Sequence, residues 1–85
     1  MTEDIHKGVV SIISEVSGFD GAEITSDTNF FDELDIDSIK AIEITVAIEK
    51  KFNISIRDED VPKITTVKQA VELVQKIMYA RSNNA

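Results

Sequence analysis

Apolar side chains at Ile5, Val9, Ile12, Ile13 and Val16 recur at offsets 0, 4, 7, 8 and 11, which is one face of a helix, and Gly18 just beyond them is a C-terminal stop. A first helix is expected from about Glu3 to Ser17. From Phe19 to Asp37 no period holds, yet Phe19, Ile24, Phe30, Phe31, Leu34 and Ile36 are spread through polar residues. This pattern reads as a long loop pinned to the core by apolar anchors, with room for a single helical turn. Structureless loops of that length are uncommon in compact domains and often functional.

A second helix is expected from Ser38 to about Lys51, with Asp37 as its N-cap, where a carboxylate can accept a free backbone N–H and complement the helix dipole. Asn53 to Ile56 alternates like a strand but has no second alternating run to pair with, so it is read as an extended connector seating Ile54 and Ile56 in the core. Asp58 to Lys63 can form one short turn, although Pro62 fits only where no N–H is required. Thr66 and Gln69 have capping-box spacing, and Val67, Ala70, Val71, Val74, Ile77 and Met78 mark a last helix through about Tyr79. The expected architecture is all-α: a small four-helix bundle with three main helices, one short helix and a long first loop. Residues 1–85 form a single domain, with 81–85 as a frayed tail.

The second helix carries more apolar surface than such a bundle needs. Ala41, Ile44, Ile48 and Phe52 line one stripe, while Ile39, Ile42 and Val46 line another, rotated away by roughly 135°. Either the helix is central and surrounded, or its second stripe faces a partner. Ser38 begins this helix beside the second stripe, where free N–H groups and the positive dipole end favour an anion such as a phosphate ester. A serine after an aspartate at a helix start is equally what simple capping requires.

Composition narrows the classes. Sixteen acids against nine bases give a net charge of −7, the wrong sign for neutralising nucleic-acid phosphates. With no cysteine, the chain can build neither a disulfide nor a thiolate metal site, and has no thiol nucleophile of its own. Its acidic start lacks the basic and apolar segments of a secretory signal, and no apolar run approaches the roughly 18 residues of a membrane span. The expectation is a cytoplasmic monomer without nucleic acid or membrane span.

From about Thr28 to Val74, "TNFFDELDIDSIKAIEITVAIEKKFNISIRDEDVPKITTVKQAVELV", the chain resembles an acyl carrier protein. The resemblance rests on Asp37-Ser38-Ile39, then Glu43, then Ile48-Glu49 with Phe52, and Ile64-Thr65-Thr66-Val67 opening the last helix. It implies a carrier whose Ser38, flanked by the capping Asp37, is esterified by 4′-phosphopantetheine from coenzyme A, with acyl groups held as thioesters on that arm. It further implies that Ile39, Lys40, Ile42, Glu43, Val46 and Glu49 face partner enzymes while Ile44, Ile48 and Phe52 are core. The partners implied are a phosphopantetheinyl transferase (holo-carrier synthase) and acyl or malonyl transferases, ketoacyl synthases or a dedicated ligase. The protein itself would be a carrier and not an enzyme.

Five positions depart from the family's habit. Asp35 stands where most members have glycine, Lys40 where fatty-acid carriers place an acid, and Lys50 and Lys51 where further acids are usual. Pro62 is unusual in the short third helix, which borders the acyl cavity in the family. Three lysines against two glutamates leave the second helix net +1 inside a chain of −7, so fatty-acid, polyketide and other specialised pathways stay open. Three rival readings compete. A hydrolase at Ser38 would need His6, the only histidine, within reach. Calcium in an EF-hand loop from Asp35 fails because Lys40 replaces the required glycine and Val46 the required acid. A small acidic helical interaction module without a prosthetic group would use the second stripe alone.

Overall fold

A computed structural model describes residues 2–83. Four α-helical segments, α1 (Thr2–Ser17), α2 (Phe30–Glu33), α3 (Ser38–Phe52) and α4 (Val67–Asn83), are joined by 3₁₀ turns at Gly21–Glu23 and Asp58–Lys63. Among the described residues there is no strand, only an isolated antiparallel bridge between Asn29 and Thr66. The all-α architecture expected from the apolar period is the one observed.

The core forms where α1 packs on α3 and α4. Val9, Ile12 and Ile13 of α1 meet Ile44 and Ile48 of α3 and Val67, Ala70, Val71 and Val74 of α4, all buried. Gly18, at φ +82°, turns the chain out of α1, and its amide closes on the Ser14 carbonyl at 2.9 Å. Gly8 serves a different need. A Cβ there would lie 2.8 Å from Cζ of Phe52 and 2.9 Å from Cε of Lys51, so its lack of a side chain lets α1 approach the end of α3.

The long loop is more ordered than its lack of period suggested. Asp20 caps the first 3₁₀ turn by accepting the Ala22 N–H, and Asn29 caps α2 by accepting those of Phe31 and Asp32, both at 3.0 Å. Glu33 returns to the Asn29 amide at 2.8 Å. The loop is laced to the start of α4: Phe30 donates to the Thr65 carbonyl, Val67 to that of Thr28, and Lys68 to that of Ser26. Ile24, Phe30, Leu34 and Ile36 are buried anchors as expected. Phe19 and Phe31 are not, at 36% and 42% exposure. Phe31 follows the inward-facing Phe30 by one helical step, about 100°, which carries it off the core.

The remaining connectors follow from local chemistry. Ile54 and Ile56 are buried and Asn53 and Ser55 exposed, so the segment alternates as expected of an extended connector. Pro62 lies inside the Asp58–Lys63 segment, second in a turn closed by Ile64 N–H on the Val61 carbonyl, a place where no proline N–H is needed. The capping box at α4 is present and doubled: Gln69 Oε1 accepts from the amides of Thr65 and Thr66, while Thr66 Oγ1 accepts the Gln69 amide. The last helix, expected through about Tyr79, continues to Asn83, and Arg81 donates to the Asn53 carbonyl at the end of α3. Residues 84 and 85 lie outside the described residues.

Asp35 occupies the left-handed region at φ +54°. Leu34 and Ile36 both donate to the Phe30 carbonyl, so this residue turns the chain off α2 and into the N-cap of α3. Glycine adopts that conformation freely, and aspartate tolerates it better than most side chains. We expect Asp35→Gly to leave stability intact and Asp35→Val to cost about 1–2 kcal/mol, read from urea melts.

Candidate functional site

Ser38 is the first residue of α3 and is exposed. Asp37 precedes it in extended conformation, and its Oδ1 accepts the Lys40 N–H at 2.8 Å while its carbonyl accepts that of Ala41 at 2.9 Å. The Ser38 and Ile39 amides, ahead of both bonds, lie outside the helical ladder. The capping is therefore done by Asp37 and leaves the serine hydroxyl out of it. Other serines have structural work: Ser14 donates to the Phe19 carbonyl and Ser17 accepts the Phe19 amide. The Ser38 hydroxyl joins no hydrogen bond among the described residues, so its Oγ is free for esterification, and the positive end of α3 suits a phosphodiester there.

From Ser38 the two stripes of α3 diverge. Ile44 and Ile48 are 2% and 1% exposed, whereas Ile39, Ile42 and Val46 are 70%, 55% and 42% exposed. The exposed stripe starts one residue after the serine. Lys40 and Glu43 are exposed along the same helix, as are Lys50 and Lys51 in its last turn.

Glu49, also expected at the partner face, has a bond within the fold. It is half-buried, and its Oε2 accepts the Ile56 N–H at 2.7 Å. Its backbone carbonyl accepts from both Asn53, left-handed at φ 55°, and Ile54. The fold has already engaged this carboxylate in holding the connector against α3. Neither Asn53 as a left-handed C-cap nor this bond was read from the sequence. An asparagine ending an apolar period was the available signal for the cap, while a bond across seven residues leaves no periodic trace.

The rival sites do not assemble. His6 lines a shallow groove of about 660 Å³ with Lys7, Ser26, Asp27, Lys68 and Glu72, a lining that includes neither Ser38 nor Asp37. Among the described residues no group of three or more histidines and acids could hold a metal ion, and no helix is long and apolar enough to cross a membrane. Beneath α3, Phe30, Ala41, Ile44, Thr45, Ile48, Val61 and Ile64 enclose only about 10 Å³, the room of a single water. Thr45 turns its hydroxyl back to the Ala41 carbonyl, so this space is lined almost wholly by apolar atoms.

A small bundle with an unengaged serine at the head of a helix that is core on one side and apolar on the other defines a carrier-type domain. The family model of the phosphopantetheine attachment site matches residues 7–74. The chain is similar to the meromycolate extension acyl carrier protein of Mycobacterium leprae, 43% identical over 75 residues, which cover 88% of this chain and 65% of that protein. It is likewise similar to acyl carrier proteins of Thermobifida fusca, 38% identical over 87% of this chain and 94% of the relative, and of Myxococcus xanthus, 42% identical over 85% and 91%. The chain belongs to the acyl carrier protein family, a family of carrier domains with a phosphopantetheine attachment site. It spans 65% of the length of the Mycobacterium leprae relative.

The Glu49 bond yields a test. Removing the acceptor leaves a part-buried amide unpaired, so Glu49→Ala should cost about 1–3 kcal/mol, against roughly 0.5 kcal/mol for a free surface carboxylate. Glu49→Gln, which retains an acceptor oxygen, should recover most of that loss in urea melts.

Proposed function

We propose that the protein is a non-catalytic, cytoplasmic acyl carrier, one domain over residues 1–85, that holds acyl groups as thioesters on 4′-phosphopantetheine attached to Ser38. It delivers them to enzymes of fatty-acid, polyketide or related biosynthesis. The observation that carries this reading is the unbonded, exposed Ser38 at the positive end of α3, one residue from an exposed apolar stripe.

The residues present fit the group. Asp37 orders the turn by capping the Lys40 amide, the helix start would offer its dipole to the phosphodiester, and Oγ of Ser38 would hold the group as a phosphate ester, displacing the adenosine bisphosphate portion of coenzyme A. Phosphopantetheine supplies the thiol that a chain without cysteine lacks. Ile39, Ile42 and Val46, with Lys40 and Glu43 beside them, form the face on which a phosphopantetheinyl transferase and then acyl or malonyl transferases, ketoacyl synthases or a ligase dock. Apolar side chains at the centre of such a contact contribute most of its binding energy.

Intact mass after incubation with coenzyme A and a broad-specificity phosphopantetheinyl transferase tests the assignment. One phosphopantetheine should add to the wild type and none to Ser38→Ala. A wild type left unmodified by several transferases, with Ser38→Ala functional, would make the chain a helical interaction module without a prosthetic group.

A further inference from the structure

The space between α3 and the Asp58–Lys63 turn is closed by a wall that hydrogen bonds fasten at both ends. Ile44 and Ile48 of α3 face Val61 and Ile64 across it, with Phe30 as its floor, and about 10 Å³ is left between them, the room of one water. Where the wall begins, Glu49 Oε2 of α3 accepts the Ile56 N–H at 2.7 Å. Where it ends, Gln69 Oε1 of α4 accepts the Thr65 N–H at 2.8 Å and the Thr65 hydroxyl at 2.6 Å. The Thr65 carbonyl in turn accepts the Phe30 N–H at 2.8 Å, which ties the wall to the floor. Between these ends the Asp60 N–H closes on the Arg57 carbonyl and that of Ile64 on the Val61 carbonyl, and Pro62 fixes its own φ.

Room for an acyl chain has to come from moving that wall, since an eight-carbon chain fills roughly 240 Å³ at about 30 Å³ for each water-sized group. A wall free at one end could swing aside and break no bond of its own. This one must give up the Glu49 bond to the part-buried Ile56 amide, or the Gln69 and Phe30 bonds to Thr65, and groups left without partners cost stability. The groove of about 660 Å³ beside His6 does not shelter a chain either, because Lys7, Asp27, Lys68 and Glu72 line it and an alkyl group there would displace their water. We propose that the wall stays shut when the carrier is loaded, so that the acyl group remains outside the bundle and the cargo belongs to the short or polar class, such as acetyl, malonyl or hydroxylated acyl groups. The inference rests on the carrier reading and names the cargo that reading leaves open. A long saturated chain held outside would keep its apolar surface in water, at a cost that grows with every methylene.

Loading the ¹⁵N-labelled protein from acetyl- and from octanoyl-coenzyme A with a broad-specificity phosphopantetheinyl transferase gives the two forms that test this. Intact mass first checks for one acyl-phosphopantetheine on Ser38 in each, and failure of that attachment overturns the carrier reading itself. The amides of Ile44, Thr45, Ile48 and Ile64 should then have the same shifts in both forms. Hydroxylamine should cleave the two thioesters in the same ratio as the free acyl-coenzymes A, to within about twofold, because water reaches both alike. A Glu49→Ala, Gln69→Ala variant releases the wall at both ends; there the octanoyl group should shift those four amides and be cleaved at least about fivefold more slowly than on the wild type. Glu49→Ala alone serves in its place if the double variant unfolds. Shifts at those four amides on octanoylation of the wild type, or an octanoyl thioester shielded there from hydroxylamine, overturn the inference. So does a released wall that leaves the octanoyl group as exposed as before.

Discussion

Burial of one stripe of α3 and exposure of the other is the constraint on which the rest of the structure depends. An 85-residue chain has one small core, and with α1 packed on α3 and Phe30, Val61 and Ile64 beneath it, Ile44 and Ile48 are 2% and 1% exposed. Among the described residues no element buries Ile39, Ile42 and Val46. The helix must therefore be held from one side only, and the contacts that hold it are placed at its two ends. Gly8 admits the end of α3 close to α1, and Arg81 of α4 bonds the carbonyl of the Asn53 cap. At the other end, Asp35 and Asp37 turn and cap the chain just before Ser38.

That arrangement connects stability to chemistry through position. Asp37 satisfies the Lys40 amide, so Ser38 is released from the capping work that a serine at a helix start commonly does. The loop before it is laced to α4 through the carbonyls of Ser26, Thr28 and Thr65, which fixes where α3 begins and hence where its serine projects. The left-handed backbone at Asp35 is a local cost borne by the same loop just before the serine proposed for modification.

Periodic features were legible in the sequence because they repeat. The three long helices, the two stripes of α3, the Thr66–Gln69 capping box and the alternation of Ile54 and Ile56 all follow from spacing alone. The resemblance at Asp37-Ser38-Ile39 implied Ser38 as the attachment site, which capping chemistry by itself left undecided. What escaped was non-periodic: the Asn29 cap and Glu33 return bond in the loop, the outward Phe19 and Phe31, and the persistence of α4 past Tyr79, which an Arg81 bond to a distant carbonyl supports. Glu49 is the instructive case. By helical position it belongs beside the partner face, and only the connector's path, bringing the Ile56 amide to within 2.7 Å, engages it in the fold.

The central claim is that the two stripes of α3 divide stability from delivery, and paired urea melts and phosphopantetheine-loading rates of Ile48→Ala and Val46→Ala test it most directly. Ile48→Ala should lose about 2–5 kcal/mol, a large part of the roughly 5–15 kcal/mol of a typical domain. Val46→Ala should lose no more than about 0.5 kcal/mol yet be loaded markedly more slowly. A Val46→Ala protein that melts as early as Ile48→Ala and is loaded at the wild-type rate would make the second stripe part of the core and contradict the account.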